Sequence, residues 1–186
     1  FRLHQSRTIA QNFIDVAKVE GCELIFIAGD LIERFLIRPY IQSEVKLFLD
    51  TIMGFFKEGY IIWGNHDQDN KGNISEFNDS CLSVMLPSNL HYADMKEINI
   101  DGTRIAFYNW RPEFDLSWIN GMVDFLVTHA TISYTDAEIF QSQYLDESKF
   151  NLAICGDIHS ARTKGKYVSI GVPQSAKMTD SHDSTG

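Results

Sequence analysis

Four apolar runs in this chain end on a residue able to bind a metal ion. "CELIFIAGD" closes at Asp30, "YIIWGNHD" reaches Asn65, "DFLVTH" closes at His129 and "NLAICGD" closes at Asp157, with His159 two positions later. Runs of this length, rich in β-branched and aromatic residues, read as buried strands. The first two are preceded by helical patterns, so helix, apolar strand, Gly and ligand-type residue occur twice in succession. Alternation of that kind predicts an α/β core with at least some parallel strands. In such sheets ligands collect beyond the carboxyl ends of the strands, where the chain turns and side chains converge.

The element boundaries follow from spacing and from Gly. Ile9, Phe13, Val16 and Ala17 recur at helical intervals, with Gly21 as the stop. A second helix carries Val45, Phe48, Leu49, Ile52 and Phe56 on one face, with Ser43 as its N-cap and Gly59 as its stop. "EINIDGTRIAFYNW" alternates Ile98 and Ile100, then Ile105 and Phe107, around Asp101-Gly102, which predicts a type I′ hairpin. "KYVSIGVP" closes the set as a strand. Residues 111–123 and 131–150 show weak periodicity and are expected to be loop or helix. Neither repeats nor a linker interrupt the pattern, so residues 1–186 are expected to form one domain. The start at Phe1 and the polar end at Gly186 lead us to expect a chain cut at both ends.

Each strand-end residue has an ordinary structural explanation. Gly-Asp after a strand is commonly a turn, Asn suits a left-handed backbone, and a lone buried His is commonly a satisfied core residue. Five such residues in order point instead to a shared site. Asp30 can bridge two divalent ions while an amide oxygen and imidazoles complete their shells. A donor set without thiolate suits Mn²⁺, Mg²⁺, Fe or Zn²⁺ rather than Ca²⁺. Two ions about 3.5–4 Å apart clamp a phosphate and activate water for in-line attack, and His66 stands ready to act on that phosphate. Cys22, Cys81 and Cys155 are odd in number and widely spaced, which argues against a disulfide framework or a thiolate zinc site; they are expected as small buried hydrophobes in a reducing compartment.

"AGD", "GNHD", "VTHA" and "CGDIHS", in this order, resemble the calcineurin-like metallophosphoesterase superfamily. The resemblance spans Gly29 to His159 and implies a metallophosphoesterase-type β-sandwich of mixed sheets flanked by helices, in the order α/β/β/α. Within the superfamily, "AGDLIE", the hairpin ahead of "FYNWRP" and "YVSIGVPQS" are similar to the SbcD-like DNA repair exonuclease branch of bacteria and phages. The resemblance implies Asp30 bridging the two ions, Asn65, His129 and Asp157 on the second ion, His159 on the first, His66 acting on the phosphate and Asp67 orienting His66. It further implies Mn²⁺-dependent cleavage of DNA in the cytoplasm, an SbcC-type ATPase as partner, self-association as a homodimer, and no membrane. Two departures stand out. Asp157 takes the place of the first His of the G-H-x-H motif, which favours a harder ion such as Mn²⁺ or Mg²⁺. The opening D-x-H motif is missing, since His4 has no Asp two residues before it, and the corresponding strand is expected upstream of Phe1.

The formal net charge of −9 counts against binding nucleic acid by bulk charge alone. Arg162, Lys164 and Lys166 follow His159 and are read either as a solvated strand end or as contacts to a phosphate backbone. Trp110 and Arg111 are read as rim packing, with stacking on a substrate base as the alternative. Beside a DNA phosphodiesterase, two other readings suit the same motifs: a phosphoesterase for nucleotides or other small substrates, and a catalytically impaired scaffold.

Overall fold

Why strand ends far apart in sequence meet is explained by the register of two sheets. The computed structural model of the chain describes residues 3–33, 37–69, 77–132 and 143–171. Its elements are α1 (Leu3–Glu20), β1 (Leu24–Ala28), α2 (Pro39–Met53), β2 (Glu58–Ile62), β3 (Leu90–Tyr92), β4 (Lys96–Ile100), β5 (Thr103–Tyr108), β6 (Val123–Thr128), β7 (Phe150–Cys155), β8 (Ala161–Lys164) and β9 (Tyr167–Ile170). One sheet has the order β1-β2-β3 and the other β4-β5-β6-β7-β9-β8. The first is wholly parallel, whereas the second has antiparallel outer pairs around a parallel centre.

The sheets pack face to face. Ala28, Tyr60, Ile62, Ile105, Phe107 and Val127 form the interior between them. Alternate residues of β1 and β2, Ile25, Ile27 and Ile61, point the other way and join Ala10, Ala17, Val45, Leu49 and Ile52 from the two helices. On the outer face of the larger sheet, Leu126, Ala153 and Cys155 meet Leu116, Ile119, Ile132 and Leu145. The expected sandwich of two sheets flanked by helices is therefore found, with the larger sheet mixed and the smaller one wholly parallel; so is the hairpin, with positive φ at both Asp101 (49°) and Gly102 (87°).

Several boundaries differ from expectation. Helix α2 begins with Pro39 in its first turn, where the missing N–H is harmless. Ser43 is thereby drawn inside the helix, its hydroxyl donating to Pro39 O (3.1 Å) instead of capping. The helix stops at Gly54, and Gly59 lies within β2, where a Cβ would press on Ile25 Cγ2 and Leu90 Cδ1. Helix α1 ends before Gly21 as expected but is rotated: Ala10, Ile14 and Ala17 are buried while Phe13 and Val16 are exposed. Cys155 is buried, but Cys22 is exposed rather than packed. The short strands β3 and β8 carried no sequence signal of their own. "VPQS" after β9 lies outside the described residues. Among the described residues no helix is long and apolar enough to cross a membrane.

Candidate metal centre

Parallel pairing sets Ala28 beside Ile62 and Thr128 beside Cys155, so four strands end at one edge of the sandwich. Asp30, Asn65, His129 and Asp157 follow those ends by one to three residues. Close approach of the strand ends there, within the smaller sheet and between the two sheets, needs glycine. A Cβ on Gly64 would overlap the Asp30 carboxylate, and one on Gly156 would overlap the Ala28 carbonyl.

His129 lies at the centre and is fully buried. Its Nδ1 donates to Ala28 O (2.6 Å), which fixes the tautomer and turns the Nε2 lone pair inward. Nε2 faces Asp30 Oδ2 at 3.2 Å and Asp157 Oδ1 at 3.5 Å. Nε2 is thus buried within ion-pairing distance of both carboxylates, without a hydrogen bond of good geometry to either. Asn65 Oδ1 is likewise buried and orphaned. Buried polar atoms are almost always hydrogen-bonded, so a buried imidazole nitrogen between two carboxylates describes a place made for a cation. Asp30, His129 and Asp157 each bring one ligand atom within 4.8 Å of the others and could hold a divalent ion. That donor set, two carboxylates and an imidazole, fits one.

The electrostatics agree. Burial alone would depress the His129 imidazolium, but the Asp157 and Asp30 carboxylates outweigh it and push its pKa up to about 10. At Asp157, burial works to raise the carboxyl, while His129, the Thr131 hydroxyl and the nearby His159 hold it below the usual range. In the metal-free protein, then, a proton on His129 stands where a cation would. Below about pH 6.5 that contribution to stability is fully present, because folded and unfolded chains are both protonated; it is lost as pH rises through about 10. Chelator-treated protein is accordingly expected to lose several degrees of melting temperature between pH 6.5 and 9.5. Saturating Mn²⁺ is expected to restore them, by a larger margin at higher pH. A flat chelator series would contradict this picture.

Asp67 has a different place from the one expected. Fully buried, it accepts N–H bonds from Asp30 (2.6 Å) and Gly64 (2.9 Å) on Oδ2 and from Ile32 (3.2 Å) on Oδ1. Its carboxylate thus reaches the backbone on both sides of the site and not the His66 ring. Asp30 is held at φ 52°, a left-handed conformation that Asp tolerates only with support. Burial, and next the Asp30 charge, raise the Asp67 carboxyl against the pull of these N–H groups. His66 is instead oriented by Glu33 O, which accepts from Nδ1 (2.7 Å), while its backbone N–H donates to Asp30 Oδ1 (2.9 Å). Its free ring nitrogen is therefore Nε2. His159 is half-buried, and its side chain stands outside the Asp30–His129–Asp157 group.

Two residues of the site carried no sequence signal. Asn109, one residue beyond β5, accepts from Trp63 N (2.8 Å) and donates to Tyr92 OH (2.7 Å). Gln68 Nε2 donates to Gly64 O (3.0 Å) and Trp110 O (3.2 Å). These amides tie the loop of Asn65 and His66 to the second sheet. An "FYNW" and a "HDQ" read alone look like ordinary strand-end and turn residues. Arg111 is committed to a two-pronged pair with Asp94 (3.0 and 2.7 Å) and lies over the Tyr108 ring, so it packs at the rim as expected.

A family model described as calcineurin-like phosphoesterase matches residues 3–161. No curated protein matches the chain.

Proposed function

Because the chain belongs to the calcineurin-like phosphoesterase family, which makes it a metal-dependent phosphoester hydrolase, we propose that it is a nuclease of the SbcD-like kind. In this reading it cleaves DNA phosphodiester bonds in the cytoplasm with Mn²⁺ and works beside an SbcC-type ATPase. One observation carries the reading furthest: Asp30 Oδ2 and Asp157 Oδ1 converge on a His129 Nε2 whose tautomer is already set for a metal.

Asp30, Asn65, His129 and Asp157 would hold one ion, and Asp30 with His159 would contribute to a second. When bound, such ions polarise the phosphoryl oxygens and supply a water acidic enough to attack near neutral pH. Three oxygen donors to one nitrogen suit a hard ion, which favours Mn²⁺ or Mg²⁺ over Zn²⁺. Asp67 keeps the Asp30 turn and the Gly64 turn at a fixed separation, so the donor atoms stay together without reorganisation. His66, held through Nδ1 by Glu33 O, gives a proton from Nε2 to the departing oxygen or stabilises charge on the phosphate.

The wild-type chain with Mn²⁺ is expected to degrade linear duplex DNA and to hydrolyse bis-p-nitrophenyl phosphate. Hydrolysis of the small diester with no attack on any DNA would favour an enzyme for nucleotides or other small phosphoesters. Hydrolysis of neither would favour the impaired scaffold.

A further inference from the structure

Strand β8 is the outermost strand of the larger sheet, and it starts four residues after Asp157. Its register joins it to the metal-centre end of β7. Cys155 lies beside Ser169, which lies opposite Arg162; Ala153 lies beside Tyr167, which lies opposite Lys164. Directly opposed residues share a face, so Arg162 and Lys164 stand on the face of β7 that carries Cys155. Ser169 Oγ also donates to Ile158 O (2.8 Å), binding this row to the loop between Asp157 and His159.

The charge of the segment is unlike that of the chain. The chain as a whole carries −9, yet no Asp or Glu falls between Asp157 and Asp180, while Arg162, Lys164, Lys166 and Lys177 do. On the same face is a cavity of about 460 Å³ whose wall includes Lys164, Lys166, Tyr144 and Tyr167, with the Glu147 carboxylate taken up by the Tyr167 hydroxyl (2.9 Å). Lys166 Nζ is fixed by the carbonyls of Glu147 (2.8 Å) and Phe150 (3.0 Å), so that positive charge is built into the wall rather than left to roam. Tyr144 is exposed beside it, as an aromatic surface on which a base can stack.

We infer that the Arg162–Lys164 face of β8 binds the sugar-phosphate backbone of a nucleic-acid strand whose scissile phosphate lies at Asp30, His129 and Asp157. This rests on the nuclease reading and adds to it the surface that holds the strand away from the cut, which a polynucleotide reaches and a mononucleotide does not. Arg162 is two strands away from Cys155, roughly 10 Å across the sheet, and Lys164 is roughly 7 Å further along β8. A nucleic-acid strand advances about 3.4 Å along its axis per phosphate, so these side chains reach phosphates about three to five nucleotides from the cut. A single nucleotide cannot span that offset.

The test is a charge reversal in the full chain, Arg162→Glu with Lys164→Glu, and a milder pair, Arg162→Gln with Lys164→Gln. Mn²⁺-dependent hydrolysis would be measured on bis-p-nitrophenyl phosphate and on a linear duplex oligonucleotide, with binding of a fluorescein-labelled duplex followed between 50 and 200 mM salt. Loss of two phosphate contacts should lower the log–log salt slope by about 2. The KM for DNA should rise at least tenfold, and hydrolysis of the small diester should stay within twofold. An unchanged KM and slope for DNA in both pairs would overturn the inference, as would an equal loss on both substrates in the glutamine pair. A wild-type chain that hydrolyses the small diester but neither binds nor cuts DNA would instead remove the nuclease reading itself.

Discussion

His129→Ala is expected to abolish tight binding of a divalent ion and to lower phosphodiester hydrolysis by about a thousandfold or more, since metal ions supply several kcal/mol of transition-state stabilisation. The argument is geometric. His129 Nε2 is the atom on which Asp30 Oδ2 and Asp157 Oδ1 converge, and Nδ1 is already committed to Ala28 O. Without the imidazole, the two carboxylates face each other across a buried gap with no counter-charge. In the metal-free protein, such a loss costs about 3–5 kcal/mol. His129→Gln keeps much of the volume and separates the two effects: stability should partly recover, while metal affinity should not. Calorimetric titration with Mn²⁺ reads the affinity directly. A His129→Ala variant that binds Mn²⁺ as tightly as wild type would contradict the assignment.

His66→Ala is expected to lower turnover by about a hundred- to ten-thousandfold, the range for a positioned acid or base, while leaving Mn²⁺ affinity near the wild-type value. Asp30 Oδ1 accepts from the His66 backbone N–H and not from the ring, so truncation spares that bond. If Nε2 protonates the leaving oxygen, the loss should depend on the leaving group. A p-nitrophenolate leaves without help, so the defect should be much smaller on bis-p-nitrophenyl phosphate than on DNA. An equal defect on both substrates would assign His66 to stabilising the phosphoryl charge instead.

The candidate ligand positions at the strand ends were legible because each apolar run and the polar residue that ends it are contiguous in sequence. Asp30, Asn65, His129 and Asp157 could therefore be named before their meeting place was known. What governs them at longer range was not legible. Asp67 holds Asp30 across 37 residues and Asn109 holds Trp63 across 46, and no local pattern encodes either contact. The same holds for β3 and β8, whose three and four residues become strands through pairing with β2 and β9. In α2 two local signals competed, and the helix starts at Pro39 rather than at Ser43 because Pro is suited to the first turn. The period of Ile9, Phe13, Val16 and Ala17 identifies helix α1, but Phe13 and Val16 are exposed while Ala10 and Ile14 are buried. An apolar residue on an exposed face carries the same period as one in the core.

The central claim is that Asp30, Asn65, His129 and Asp157 form a divalent metal centre. Its most direct test is anomalous diffraction at the manganese edge from crystals of the chain grown with Mn²⁺. The account predicts a strong peak roughly 2.0–2.3 Å from Asp30 Oδ2, His129 Nε2, Asp157 Oδ1 and Asn65 Oδ1, the usual range for oxygen and nitrogen ligands. A peak elsewhere, or none at saturating Mn²⁺, would contradict it.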